Sequence, residues 1–408
     1  MDNLPTTHHW EPVFNQALSL LRAALWGEER FPFQSQSDPD WEALYRELRQ
    51  QTVQHLPSDL LARDDPGNKE RYTGAAVRNL MRWYQILQVQ QETCQMLKDA
   101  GIACAVIKGT AAAIHYPVPA NRVMGDIDLL IQPEHFDSAC RLMEKDSQFL
   151  GENSRHREYR RKGVVVELHR AFATFRDNEK NTLLDSRLFG VIGSARHTCV
   201  DGFSFPMLPL AENGLVLLTH IDVHLENGLG LRQILDWMLF AHTHLDDETW
   251  EAELAPMVRQ LDREVLAVTV TRMCQLYLGL RQDITWCAGA DERLCRQLME
   301  YILSQGNFGR KTQTGANRAT SFVGACKNIP SLFRILQHRG CINWKLIQKL
   351  PFLKPFAWLY QLLRYVVLGI RTRHPLQLLL EASHRAKDQT AFLEELGVTH
   401  MAEEGNRQ

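Results

Sequence analysis

The 408-residue sequence has no Cys-x-x-Cys pair, although it holds nine cysteines, at positions 94, 104, 140, 199, 274, 287, 295, 326 and 341. Their scatter and odd number argue against a disulfide framework or a zinc site, so they read as reduced, mostly buried thiols. An excess of charge is also missing: 46 Lys and Arg face 48 Asp and Glu, for a net charge of −2. Nothing global therefore draws the chain to nucleic acid or to an anionic membrane, and any such partner needs a local patch. No apolar run reaches the ~20 residues of a spanning helix. The most apolar tract, residues 350–370, is broken by Pro351, Lys354, Pro355, Gln361 and Arg364. With Trp358, Tyr360, Tyr365 and the flanking Arg371 and Arg373, the segment 350–373 suits an amphipathic packing helix, with peripheral membrane contact as its alternative. The opening MDNLPTTHHWEP places acidic, proline and histidine residues where a signal peptide needs a basic start and an apolar stretch, so the expected location is the cytoplasm.

What is present is an apolar content of 45%, enough for two packed units. Helical stretches around 13–25 and 41–61 read as an N-terminal lead-in. From Val77 the apolar positions Val77, Leu80, Met81, Tyr84, Leu87, Cys94 and Leu97 recur at helical spacing until Gly101 stops the helix. The period then changes. Residues 102–107 suit a buried strand, Lys108-Gly109-Thr110 leads into a short helix over 111–115, residues 126–131 form a second strand, and Pro133 opens a helix. A hairpin pairs 155–161 with 164–169 through Lys162-Gly163. Beyond Pro209 the helical period returns, with helices over 215–225 and 229–244 and others later. The fold class is α+β: a mixed β-sheet flanked by helices over residues 71–208, a helical lead-in over 1–70 and an all-helical C-terminal domain over 209–408.

Chemistry concentrates in the middle of the chain. Residues two apart on a strand point the same way, so Asp126 and Asp128 share one face while Ile127 and Leu129 enter the core. At ~3.3 Å rise per residue their Cβ atoms lie ~6–7 Å apart, a span that two metal ions ~3.5–4 Å apart can bridge. In the hairpin, Val164, Val166 and Leu168 share one face, leaving Val165, Glu167 and His169 on the other, so Glu167 completes an acidic triad if the strands are neighbours. Three close carboxylates require a compensating cation, and oxygen donors favour Mg2+, with Mn2+ as the alternative, over zinc. At Lys108-Gly109-Thr110, the glycine admits a phosphate close to the backbone, and the helix start, the Thr110 hydroxyl and the Lys108 ammonium supply donors. Arg122 either holds a triphosphate with its planar fork or pairs with an acid such as Asp126.

The apolar-Gly turn followed by Asp-apolar-Asp and a later strand acid resembles the DNA polymerase beta-like nucleotidyltransferases. More closely, Lys108-Gly109, Arg122, Asp126-Ile-Asp-Leu-Leu130, Val166-Glu-Leu-His169 and Leu231-Arg-Gln-Ile-Leu-Asp236-Trp237 look like the bacterial uncharacterised nucleotidyltransferase family. The likeness covers roughly residues 50 to 310 and implies a nucleotidyltransferase core using a nucleoside triphosphate as donor. It implies that Asp126 and Asp128 bind both metals and that Glu167 binds one and helps to deprotonate an acceptor of unknown identity. In the wider superfamily Gly-Ser or Gly-Gly stands where this chain has Lys108 and Thr110 around Gly109, and the spacer to Asp126 is longer here. Two other classes remain open at this point: a catalytically degenerate scaffold of the same fold, and a toxin-like enzyme acting on transfer RNA.

Other groups carry bland and functional readings side by side. His220 and His224, four apart on a helix, match packing or a zinc pair. His169 shapes the pocket beside Glu167. The basic run 155–162 reads as a charged edge strand or as an RNA contact. The glycine-rich run 306–315 reads as a linker or a lid.

Overall fold

In the computed structural model of the chain, the described residues are 10–27, 39–175, 177–225, 228–307, 311, 333, 336–337, 340–341, 344, 351–371 and 391–398. The chain divides into two compact units, residues 1–308 and 309–408. The first carries a seven-stranded mixed sheet with helices, an α+β fold. Its strands are β1 (Cys104–Ile107), β2 (Asp126–Ile131), β3 (Gln148–Glu152), β4 (His156–Arg161), β5 (Val164–His169), β6 (Arg196–Val200) and β7 (Phe203–Met207), in the spatial order β3-β4-β5-β2-β1-β7-β6. β2 runs antiparallel to β1 and parallel to β5.

Two tight turns set the sheet's outer registers. Lys162 and Gly163, with φ of 47° and 79°, join β4 to β5, and Asp201 and Gly202, at 49° and 84°, join β6 to β7. Left-handed conformation at both central residues is what a type I′ hairpin needs to match strand twist. The expected hairpin is therefore present. β3, β6 and β7 were not expected from the sequence. β3 and β6 are short and mostly exposed and gain their order from pairing rather than from alternation, whereas β7 alternates Phe203, Phe205 and Met207 with Ser204 and Pro206. β3 forms the sheet edge, so the basic strand β4 is internal, which corrects the edge-strand reading of 155–162.

One face of the sheet is apolar. Ile127, Leu129, Ile131, Val164, Val166 and Leu168 pack in one core with Trp83, Ile86, Leu87 and Leu97 of the long helix Lys69–Asp99 and with Phe136, Ala139 and Met143 of the helix Phe136–Met143. Within that long helix, Val77, Leu80, Met81 and Tyr84 are exposed. The buried stripe instead runs through Trp83, Ile86, Leu87, Gln90, Thr93, Cys94 and Leu97, because a helix of 31 residues spans more than one neighbour and only its C-terminal half covers the sheet.

The helices Leu210–Leu225 and Leu231–His244 belong to the same unit as the sheet. They are tied to the segment after β1: Asn213 Nδ2 donates to the Ala111 carbonyl (3.3 Å), and the Tyr116 hydroxyl donates to Asp236 Oδ1 (2.7 Å). In the second unit the helix Ala357–Arg371 follows a 3-10 segment, Pro351–Phe356, and leaves Leu359, Leu362 and Leu363 exposed. No described helix is long and apolar enough to cross a membrane. Most of the run 306–315 lies outside the described residues.

Candidate active site

The face of the sheet opposite the apolar core gathers the titratable groups. Parallel pairing of β2 with β5 sets Asp128 beside Glu167 and Leu130 beside His169. Antiparallel pairing of β4 with β5 sets Glu158 beside Glu167 and His156 beside His169. Period-two alternation then turns Asp126, Asp128, Glu167, His169 and His156 to the same side. The three acids expected to act together are thus brought together by adjacent strands.

Lys108 joins them from the end of β1. Its Nζ lies 2.8 Å from Asp128 Oδ1 and 5.7 Å from the centre of the Phe172 ring. The residue has φ 54° and ψ −132°, a conformation that side chains rarely adopt, and Gly109 follows at φ 25° before the short helix Gly109–Ala113. Strain of this kind, of order 1–3 kcal/mol, persists where the surroundings fix it, and it is found preferentially at functional sites. Here it turns the ammonium back onto the acids.

The electrostatics are crowded. Burial disfavours the Asp128 carboxylate, but Lys108 and the hydrogen bond from His169 outweigh it and hold its pKa below the ordinary range. Asp126 is the exposed member of the pair, yet loss of hydration at its carboxyl, with repulsion from Asp128 and Glu167, raises its pKa to about 6. Burial works against charge on Lys108 and His169 as well, and the acids raise both. His169 Nε2 lies 2.8 Å from Asp128 Oδ1 and 3.2 Å from Glu167 Oε2. A carboxylate whose pKa is pushed up by its neighbours is a group short of positive charge, and a divalent ion supplies it. The all-oxygen set of Asp126, Asp128 and Glu167 fits magnesium in that respect.

The remaining expected phosphate contacts are placed differently from the acids. The Thr110 hydroxyl is buried and donates to Gln90 Oε1 (2.8 Å), leaving its backbone rather than its side chain toward the turn. Arg122 is buried and grips Asp236 with both arms of its fork, at 2.7 Å from Nε and 2.6 Å from Nη2, so its partner is Asp236 rather than Asp126. Tyr116 adds a third hydrogen bond to that carboxylate.

Two contributors, His156 and Arg232, were not singled out from sequence. His156 projects from the neighbouring strand, with Nε2 at 3.8 Å from Glu167 Oε2. Arg232, one turn before Asp236, donates to the Val123 carbonyl (3.2 Å), and burial, then repulsion from Arg122, lowers its pKa while Asp236 and Asp126 oppose the shift. Its place in Leu231-Arg-Gln-Ile-Leu-Asp236 was the available signal. His220 and His224 meet through their Nε2 atoms at 3.0 Å, and both are held neutral by burial first, with Lys108 contributing. The charge on Lys108 therefore reaches the helix that carries them.

The basic strand is largely neutralised: Arg157 pairs with Glu152 (2.7 Å), Arg161 with Asp146 (3.0 Å) and Lys162 with Glu92 (2.6 Å). A groove of about 1360 Å³ lined by Gln95, Ala103, Ile192 and Pro206 contains none of Asp126, Asp128 and Glu167, so size alone does not mark the site.

Among solved structures, the chain is similar to an antigenic nucleotidyltransferase-like protein from Paracoccidioides brasiliensis, at 15% identity and a TM-score of 0.32, over 49% of this chain and 94% of that one. No curated protein matches the sequence. A family model described as uncharacterised nucleotidyltransferase matches residues 37–279, more than half of the chain and all of the strands and acids above, and the chain belongs to that family.

Proposed function

We propose that the protein is a magnesium-dependent nucleotidyltransferase of the DNA polymerase beta-like superfamily, moving a nucleoside monophosphate from a nucleoside triphosphate to an acceptor hydroxyl or amine. In this reaction the acceptor oxygen or nitrogen bonds to the α-phosphorus, the bond from that phosphorus to the β-phosphate bridging oxygen breaks, and pyrophosphate leaves. The observation that carries the reading is the register of β2 with β5, which sets Asp128 beside Glu167 with Asp126 on the same face, in a chain of this family.

Asp126 and Asp128 would hold the metal jointly, with Glu167 as the further ligand and the acceptor of the acceptor's proton. Bound magnesium supplies charge neutralisation for the phosphates and a lowered acceptor pKa. Lys108 is placed to shift from Asp128 to a phosphate, exchanging one anion for another. The Gly109 backbone admits that phosphate closely. Arg122, saturated by Asp236, acts by fixing the segment that leads into β2 rather than by touching nucleotide.

Calorimetric titration with each of the four nucleoside triphosphates, with and without magnesium, tests this in the wild type and in Asp128→Asn. Magnesium-dependent binding that disappears in the variant is the expected result. Binding that persists unchanged in Asp128→Asn removes the assignment.

A second reading has one observation in its favour. Lys108 already compensates Asp128, as it would in a scaffold that keeps the fold without turnover. Absence of binding for all four triphosphates selects that reading. The transfer-RNA reading is weakened, because Arg157 and Arg161 of β4 and Lys162 of the turn are paired with acids.

A further inference from the structure

We propose that His156, Glu167 and His169 form a binding site for one divalent transition-metal ion, distinct in chemistry from the oxygen-only magnesium site and sharing Glu167 with it. Antiparallel pairing sets His156 directly opposite His169, and Glu167 stands two residues before His169 on the same strand face. One ligand atom from each of the three residues lies within 4.8 Å of the other two. His169 Nε2 is 3.2 Å and His156 Nε2 is 3.8 Å from Glu167 Oε2, and the two rings are 5.0 Å apart at 55°.

Bonds of ~2.0–2.2 Å from a metal to nitrogen or carboxylate oxygen place neighbouring ligand atoms ~3–3.5 Å apart. The three donors are close to that spacing already, and rotation of the His156 side chain closes the rest. All three stand on paired strands of a seven-stranded sheet, so the backbone that carries them is fixed.

Donor chemistry sets the ion. Two imidazoles and one carboxylate favour zinc, cobalt, iron or manganese over magnesium, which prefers oxygen and keeps its waters. Glu158 Oε1 and Asn153 Nδ2 each lie 3.1 Å from His156 Nε2, the ligating nitrogen, so a metal there replaces the Asn153 contact and has Glu158 at hand as a further oxygen donor. Asp128, 2.8 Å from His169 Nε2, is placed to act as a fourth ligand. The ordinary alternative is a hydrogen-bonded cluster in which protonated histidines neutralise the acids, and it makes no demand for nitrogen ligation of a metal.

The inference does not depend on nucleotidyl transfer, and its test separates the two. The full chain, stripped of metal by a chelator and dialysed, is titrated with Co2+ in the presence of excess Mg2+. Expected are one equivalent bound and visible d–d absorption of a site with nitrogen ligands. In His156→Ala the Co2+ affinity should fall tenfold or more, with circular dichroism kept. His156→Gln serves if the alanine variant does not fold. Co2+ binding that Mg2+ abolishes, or that is the same in the His156 variants as in the wild type, overturns the proposal. Co2+ binding with no triphosphate binding upholds it and counts against the transferase reading instead.

Discussion

Two clusters of buried charge lie close together in this molecule and are built on opposite plans. Around Asp236, one carboxylate meets one guanidinium through two short hydrogen bonds and a tyrosine through a third. Charge balances, and each oxygen of the acid has a partner. Around Asp128, one ammonium faces three carboxylates, with His169 between two of them. Charge does not balance, and repulsion from Asp128 and Glu167 adds to burial in raising the pKa of Asp126. The first plan makes a clamp between the lead-in to β2 and the helix Leu231–His244. The second is where the proposed function puts a cation. The comparison teaches that burial of a charged residue is no sign of function by itself. An uncompensated surplus of one sign, held on a rigid sheet, is the sign that counts.

The sharpest way to break this comparison is to cut each cluster. Arg122→Ala leaves Asp236 buried without its cation and is expected to cost about 3–5 kcal/mol, read as a drop in the urea midpoint at unchanged slope. The pair replacement Arg122→Met, Asp236→Leu should recover most of that loss, as matched apolar groups do in place of an ion pair. Lys108→Met should cost far less, about 1 kcal/mol, because Asp128 keeps His169 as a donor, and it should raise the affinity of the acids for Mg2+ in calorimetry. Equal destabilisation by Arg122→Ala and Lys108→Met would erase the distinction between clamp and site.

An intermediate effect is expected from pH. His115 precedes Tyr116 of the clamp, and burial, then the neighbouring His244, lowers its pKa to about 4; burial, then Arg78, lowers that of His55 to about 4. Both are neutral when folded and take up protons near 6.5 when unfolded, so the unfolded state binds more protons between those values. Stability is therefore full above about pH 6.5 and falls as pH drops toward 4. His115→Gln should flatten part of that slope in urea titrations. A variant with the unaltered slope would separate His115 from the acid sensitivity of the fold.

The smallest effects belong to the outer face. Arg157→Gln and Lys162→Gln each remove a partly exposed ion pair and should change stability by less than ~1 kcal/mol, with nucleic-acid retention on a phosphate resin equal to that of the wild type. A large loss of retention would restore the RNA reading of β4.

How much could be read in advance differs between elements. Apolar and titratable residues alternate over Asp126-Ile-Asp-Leu129 of β2 and Val166-Glu-Leu-His169 of β5, and the acids follow directly from that alternation. The hairpin turn was legible in Lys162-Gly163. β6 was hidden because Arg-His-Thr-Cys-Val has no apolar face, and Asp201-Gly202 was the one signal that a turn stood there. The long helix showed its period but not its buried side, since Val77, Leu80 and Met81 keep the helical spacing while facing outward. His156 was within reach of the sequence, because the Lys162-Gly163 turn sets Arg161 opposite Val164 and hence His156 opposite His169, but the basic composition of the run drew attention away from it.

The sequence by itself determined which side chains share a face, since a two-residue period is a property of the strand backbone. It thereby determined that Asp126 and Asp128 stand together and that Glu167 stands with His169. Only the tertiary structure decided who meets across strands and helices that are not joined by a tight turn: Glu167 beside Asp128, and Arg122 on Asp236 across 114 positions of chain. The physical reason is that strand neighbours and helix docking are chosen by the burial of the whole apolar face, a sum over many residues far apart in the chain, whereas the direction of each side chain is chosen by its own backbone.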